Sequence, residues 1–281
     1  MDTLQAGLVG FVQGLSEFLP ISSSAHIVFT SAIYKLATGA VLPDVASSEE
    51  IFFDIAVHLA TLIAVFIFFR KEIVDIVKAF FVGLKTKDFK NPDFKISIYI
   101  IITTFITGVI GLLIKDFADK LVASPKIVSL LLLVTGCVLL VSEKFKKNNS
   151  LDLSLKSVIF IGIAQGLAVF PGLSRSGLTI ATAVFQGIER AKAARFSFLM
   201  SAPVIILASM VYPFLEFDMN QVANFNFKAI VVGFIVAFVS GYLCIKYFMK
   251  FVEKYSLAGF SYYCFIAGIA MFILFSLSGR L

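Results

Sequence analysis

Long apolar runs set the pattern of this chain, and its polar residues fall mostly between them. Six runs, at approximately 51–69, 96–114, 127–141, 196–214, 229–245 and 258–277, approach the roughly 20 residues that a helix needs to cross the hydrocarbon core of a bilayer. The connections between them sort by charge. Arg70, Lys71, Lys78, Lys85, Lys87, Lys90 and Lys95 follow the first run, Lys144, Lys146, Lys147 and Lys156 follow the third, and Lys246, Lys250 and Lys254 end the fifth. On the opposite side, "VLPDVASSEE" (41–50) and "EFDMNQVANFNF" (216–227) are acidic or neutral. Basic residues collect on the cytoplasmic side of multi-spanning proteins. The pattern therefore predicts six spans with the basic loops inside and both ends of the bundle outside.

Two further apolar regions, 4–38 and 157–188, are broken in the middle by Pro, Gly and Ser. The second has basic residues on both flanks, Lys144 to Lys156 before it and Arg190, Lys192 and Arg195 after it. It reads as a re-entrant helix–loop–helix that enters and leaves on one side. Irregular backbone at membrane depth persists only where protein or a water-filled cavity satisfies it. Two ordinary spans with a tight loop are the competing reading, but each half is short for a crossing.

Shifting the chain by 152 residues aligns the two broken regions without a gap: "GFVQGLSEFLPISSSAH" (10–26) meets "GIAQGLAVFPGLSRSGL" (162–178). Identities fall at Gly10/Gly162, Gln13/Gln165, Gly14/Gly166, Leu15/Leu167, Phe18/Phe170, Ser22/Ser174 and Ser24/Ser176. Three spans follow each region, an odd number, so the second half (151–281) should be inverted relative to the first (1–150) within one membrane domain. Such inverted repeats with discontinuous helices are known from secondary transporters.

Composition agrees with the pattern. The 281 residues are 59% hydrophobic and only 15% charged, with a mean hydropathy of +0.97, which excludes a water-soluble domain and gives an all-α polytopic membrane protein. The formal charge of +6 is no nucleic-acid signature, because the basic residues lie between apolar runs. Membrane lipids are the implied surroundings, and homo-oligomer formation is left open. Cys137, Cys244 and Cys264 stand singly in apolar runs, as buried small hydrophobes do.

The differences between the repeats carry the chemistry. Glu17 faces Val169, Ser23 faces Arg175, and His26 faces Leu178; if the two tips meet, they complete one site. Pro20, Pro171 and Gly172 break the helices. The hydroxyls of Ser22, Ser24, Ser174 and Ser176 and the backbone at Gly177 then start new ones, where free N–H groups bind anions. Close helix packing by small residues is the plain alternative. An Arg at membrane depth is costly by about 2.5–3.5 kcal/mol. Arg175 thus needs a partner, either the oxygens of a phosphate matched to its fork or Glu17 across the repeat. Gln13 and Glu17, four apart, share a helix face and offer oxygens to a hard divalent cation bridging to a diphosphate. His26 can act as general base. Ser23, within a turn of it, is either the nucleophile or a phosphate ligand for an attacking water. Asp54 and His58, also four apart, suggest a structural Asp–His hydrogen bond.

"QGLSEFLPISSSAHI" and "PGLSRSGLTIA" resemble the two signature motifs of the undecaprenyl-diphosphate phosphatase family, the bacitracin-resistance proteins. "FDIAVHLATLIAV" and "ARFSFLMSAPVI" resemble further family segments. The resemblance implies an integral phosphatase of the bacterial inner membrane. It would hydrolyse an isoprenyl diphosphate lipid to the monophosphate carrier of cell-wall synthesis, with a divalent cation such as Mg2+ or Ca2+ and a site open to the outer, periplasmic face. Glu17, Ser23, His26 and Arg175 match the family's functional positions. Gln13 stands where the family has Glu or Gln, so a two-carboxylate metal site is not implied, and Ala25 stands where Gly is usual. A transporter or flippase for an anionic lipid phosphate is the competing function; it needs no nucleophile.

Overall fold

The computed structural model describes residues 1–38, 47–122, 124–145, 152–216 and 225–277. Lys146, Lys147 and most of the two acidic or neutral connections (41–46 and 217–224) lie outside the described residues. Within them the chain forms eleven helices: α1 (Thr3–Ser16), α2 (Ser23–Thr38), α3 (Ser48–Phe68), α4 (Arg70–Thr86), α5 (Pro92–Val122), α6 (Pro125–Lys144), α7 (Leu155–Leu167), α8 (Arg175–Phe185), α9 (Arg190–Glu216), α10 (Phe227–Lys254) and α11 (Ala258–Leu277). Six of these, α3, α5, α6, α9, α10 and α11, are long and apolar enough to cross a membrane. They are the six runs read from the sequence, so this is a multi-pass helical membrane protein. The basic segment after the first span is a helix, α4, and not the loop its charges suggested.

Local signals start the helices. Asp2 accepts the Gln5 N–H to begin α1, and Ser47 and Glu50 form a reciprocal capping box on α3. Ser154, Ser174 and Asn226 cap α7, α8 and α10 through their side chains. Each such cap satisfies a donor that the helix itself leaves open.

Close packing of small residues joins the helices, as expected where lipid gives little hydrophobic drive. α1 lies along α10, where a Cβ on Gly10 would fall 2.3 Å from the Gly233 carbonyl oxygen and one on Gly14 2.5 Å from that of Ala237. α7 lies along α5 in the same manner: a Cβ on Gly166 would fall 2.7 Å from Ile110, and Thr107 donates to the Gly162 carbonyl. The Gly10/Gly162 and Gly14/Gly166 identities are thus packing positions. α6 and α11 meet through Gly136 and Ser261, whose hydroxyl donates to the Gly136 carbonyl at 2.7 Å.

Polar contacts gather at two ends. At one, the Met1 amine and the Asn226 N–H both bond Glu49, and the Tyr34 hydroxyl donates to Asp2, joining the end of α2 to the start of α1. At the other, the Arg190 fork and the Leu257 N–H share Glu143, while Lys192 bonds Asp152 at 3.1 Å. Of the cysteines, Cys244 and Cys264 are buried and their thiols donate to the carbonyls of Leu15 and Pro20. Cys137 is exposed, contrary to expectation, because its position on α6 faces away from the other helices.

Candidate functional site

The two broken regions meet at their tips. Ser24 Oγ accepts the Gly172 N–H at 3.3 Å, and the Ser176 hydroxyl donates to the Leu19 carbonyl at 3.0 Å. Gly172 turns the second tip with φ of 100°, where any side chain is strained, and a Cβ there would strike the Val128 carbonyl at 2.5 Å. Thr135 of α6 fixes the same turn, donating to the Gly172 carbonyl and accepting the Ser174 N–H, both at 3.0 Å. The first tip is anchored by Phe18, buried edge-on against Phe198.

Between the tips lies a polar cavity of about 180 Å³. That is below the ~300–1,000 Å³ of pockets for drug-sized ligands, and suits an ionic head group while excluding a long chain. Among the expected residues, Glu17, Ser23, Ser24, Ser174, Arg175 and Ser176 line it. The N-termini of α2 and α8 both open on it, and helix N-termini attract anions. Gln13, Ser22, His26 and Gly177 are not in its wall. Ser22 Oγ accepts the Ala25 N–H at 3.3 Å, and the Gly177 N–H is taken by Ser174 Oγ at 3.0 Å.

Glu17, 5% exposed, is the hub. Arg175 bonds one of its carboxylate oxygens across the repeat, and the Ser23 hydroxyl donates to the other at 2.7 Å. Gln13 Nε2 donates to that second oxygen at 3.1 Å. The expected one-turn pairing of Ser23 with His26 is replaced by Ser23 with Glu17. His26 turns away, with Nδ1 at 2.8 Å from the Ser22 carbonyl oxygen and Nε2 at 2.7 Å from the Tyr263 hydroxyl.

Of the cavity residues not expected there, His58, Gln165 and Thr107 bear on its chemistry. His58, read as half of a structural pair, has Nδ1 at 2.8 Å from the Asp54 carbonyl oxygen and 3.5 Å from its carboxylate, yet its Nε2 points to Glu17 at 3.8 Å. Gln165 and Thr107 come from the second repeat and α5. Thr107 donates to the Gly162 carbonyl, so its oxygen can only accept from Gln165 Nε2, at 2.9 Å. The Gln165 Oε1 is then left buried without a hydrogen-bond partner, as is that of Gln13. Their signal was the Gln13/Gln165 identity: buried amides kept in both halves imply polar work at both tips.

The donor set admits a hard cation only on particular terms. No group of three or more His, Cys, Asp or Glu side chains that could hold a metal occurs among the described residues. One carboxylate, Glu17, lines the cavity; Gln13, expected beside it as a second oxygen ligand, is fully buried outside the cavity wall and turns its Nε2 donor to Glu17. A single carboxylate fits only a cation which takes most of its ligands from phosphate and water, as Mg2+ does.

Fold and site together define a multi-pass helical membrane protein with a small cavity, lined by Glu17, Arg175 and several serines, where two helix breaks meet. Residues 6–270 match the family model described as "Bacitracin resistance protein BacA", and the chain belongs to that family. It is 38% identical over 288 residues to the undecaprenyl-diphosphatase of Methanosphaera stadtmanae, with 98% of each chain covered. It is 39% identical over 284 residues to that of Methanobrevibacter smithii, covering 97% of this chain and 98% of the relative. With undecaprenyl-diphosphatase 2 of Halalkalibacterium halodurans the identity is 37% over 279 residues, covering 98% and 97%.

Proposed function

We propose that this chain is an integral membrane phosphatase that hydrolyses undecaprenyl diphosphate to undecaprenyl phosphate and inorganic phosphate, recycling the lipid carrier of cell-wall synthesis and giving bacitracin resistance. The observation that carries the reading is the Ser23–Glu17–Arg175 chain across the two tips. A hydroxyl bonded to a carboxylate is a poised nucleophile, and a guanidinium beside it matches two phosphate oxygens.

The diphosphate enters the cavity and takes over the Arg175 fork, with the α2 and α8 N-termini and Ser24, Ser174 and Ser176 around its oxygens. Glu17, released from Arg175, is free to accept the Ser23 proton. Ser23 Oγ attacks the terminal phosphorus, and the bond from that phosphorus to the bridging oxygen breaks. Glu17 hands the proton to the bridging oxygen, which departs on the lipid monophosphate. Water then attacks phosphoserine; Glu17 takes its proton and returns it to Ser23 Oγ as phosphate leaves. Glu17 would be the one carboxylate available to a divalent cation, Mg2+ or Ca2+, which would supply neutralisation of the diphosphate charge.

The membrane arrangement belongs to the same proposal. α1–α2 and α7–α8 are re-entrant pairs of an inverted repeat. Support comes from the Asp2–Tyr34 and Asp152–Lys192 contacts, which tie the two flanks of each pair together at opposite ends. The reciprocal packing of α1 on α10 and α7 on α5 points the same way. The site opens outward: Asp54, whose side chain is 51% exposed within α3, lies toward the Glu49 end from His58, and a carboxylate at that depth needs water.

Detergent-solubilised protein, in which transport has no meaning, should release phosphate from undecaprenyl diphosphate. Ser23→Ala should abolish that release, and acid quenching of the parent should trap phosphate on Ser23. Failure to release phosphate in detergent would return the transporter reading, and a few per cent of activity left in Ser23→Ala would make water the attacking group.

A further inference from the structure

The reading above rests on Ser23 being aimed at Glu17, and the backbone that aims it is unusual. Ser22 has φ of 70°, in the left-handed region that non-glycine residues avoid. The second repeat makes its turn differently: Gly172 takes the positive φ, and Ser174, the counterpart of Ser22, keeps φ of −75°. At the counterpart of His26 that repeat has Leu178. Strained serine and imidazole therefore occur together, in the first tip alone.

The hydrogen bonds of His26 explain the association. A carbonyl oxygen only accepts, so the contact with Ser22 at 2.8 Å places the ring proton on Nδ1. Nε2 of the neutral ring is then an acceptor for the Tyr263 hydroxyl at 2.7 Å. The two rings stack, 5.6 Å between centroids and 14° from parallel. Both nitrogens are committed, and the ring lines a separate, apolar cavity of about 530 Å³ with Leu15, Leu19, Phe260 and Tyr263. The Ser22 carbonyl also accepts the His26 backbone N–H at 3.2 Å, so one residue grips the turn twice.

We propose that Tyr263, His26 and the Ser22 carbonyl form a brace that holds the left-handed turn and so aims Ser23 at Glu17. His26 serves as a donor to the backbone and not as the base, and Tyr263 is a positioning residue that fixes its tautomer and tilt.

The test rests on side-chain geometry, because the amide nitrogen of Asn falls where Nδ1 of His does. His26→Asn keeps the donor to Ser22 and removes any ring base. Assayed for phosphate release from undecaprenyl diphosphate in detergent, His26→Ala should lose about 100-fold in kcat, the scale of a nucleophile misplaced by an ångström, while His26→Asn should keep about a tenth or more of parent activity. Tyr263→Phe should lower kcat about 3–10-fold with KM unchanged, since Tyr263 is not in the wall of the polar cavity, and should cost nothing further in the His26→Asn background. His26→Asn as inactive as His26→Ala, at a parent-like melting temperature, would make the imidazole the base and sink the brace. Parent-level kcat in Tyr263→Phe, an isosteric change that does not depend on refolding the tip, would do the same. The phosphatase reading is checked separately by phosphate release from the parent in detergent: without it that reading fails, whereas Ser23-dependent release with an inactive His26→Asn overturns the brace alone.

Discussion

Glu17 and Arg175 each answer a problem that the other creates. A carboxylate whose side chain is 2% exposed and a guanidinium at 23% are tolerated in apolar surroundings because they pair, and removing one partner of a buried pair costs about 3–5 kcal/mol. Glu17→Gln and Arg175→Ala should therefore each lower the melting temperature of the detergent-solubilised protein, and the double variant should melt above either single one. In turnover the two losses should also fail to add, because the residues act on one diphosphate as a unit. Simple additivity in both measurements would mean that the tips do not share a substrate. The sequence reveals Glu17, Ser23 and Arg175 directly, since charge and hydroxyls inside apolar runs have few uses. It cannot tell which histidine joins them. His26 and His58 are each plausible by spacing, but the rotation of a helix about its axis decides which ring faces the cavity, and that rotation is fixed by contacts with α11 and α1 that no local pattern encodes.

Among the elements, the six spans were legible because length and hydropathy alone determine them, and the small-residue helices were legible through the repeat. α4 was not, because its lysines draw it as a loop. Its signal was present in the spacing of Ile73, Ile76, Phe80 and Gly83 on one side. The structure buries Ile76 and Gly83 while Val74, Val77 and Phe81 stay exposed beside Lys78 and Lys85. An apolar surface interleaved with lysine on a helix of this length suits the bilayer interface. The contact of α1 with α10 gives the sharpest test at this scale. Gly14→Ala brings a methyl to 2.5 Å from the Ala237 carbonyl and 2.7 Å from the Gly241 nitrogen, atoms that cannot step aside. It should cost about 1–3 kcal/mol as an overpacked contact, read as a fall in melting temperature. Gly7→Ala, whose methyl would meet only Val232 at 3.8 Å, should be neutral or slightly stabilising, since Ala favours the helix by about 1 kcal/mol over Gly. Equal behaviour of the two variants would mean that α1 and α10 do not meet as closely as described.

For the whole molecule, the proposed inverted repeat would explain why neither half keeps a complete site. One tip carries Glu17 and Ser23, the other Arg175, and a substrate that bridged them would meet both halves at once. This division requires the two pairs to approach from opposite faces, and that can be measured. In a Cys137→Ser background, single cysteines at Asp2 and Ser47 should react with a membrane-impermeant thiol reagent added outside intact cells. Cysteines at Lys85, Asp152 and Lys192 should react only after the membrane is opened. The decisive pair is Asp152 and Lys192, which flank α7–α8 and touch each other at 3.1 Å. A contact that close should place them on one side of the bilayer, as the proposed return of α7–α8 to the face from which it entered requires. If the two label from opposite faces, α7–α8 crosses the membrane, three spans no longer separate equivalent tips, and the inversion is lost. The charges argue against that outcome: Lys156 before the pair and Arg190, Lys192 and Arg195 after it would then have to lie on both sides, against the bias that holds basic loops in the cytoplasm.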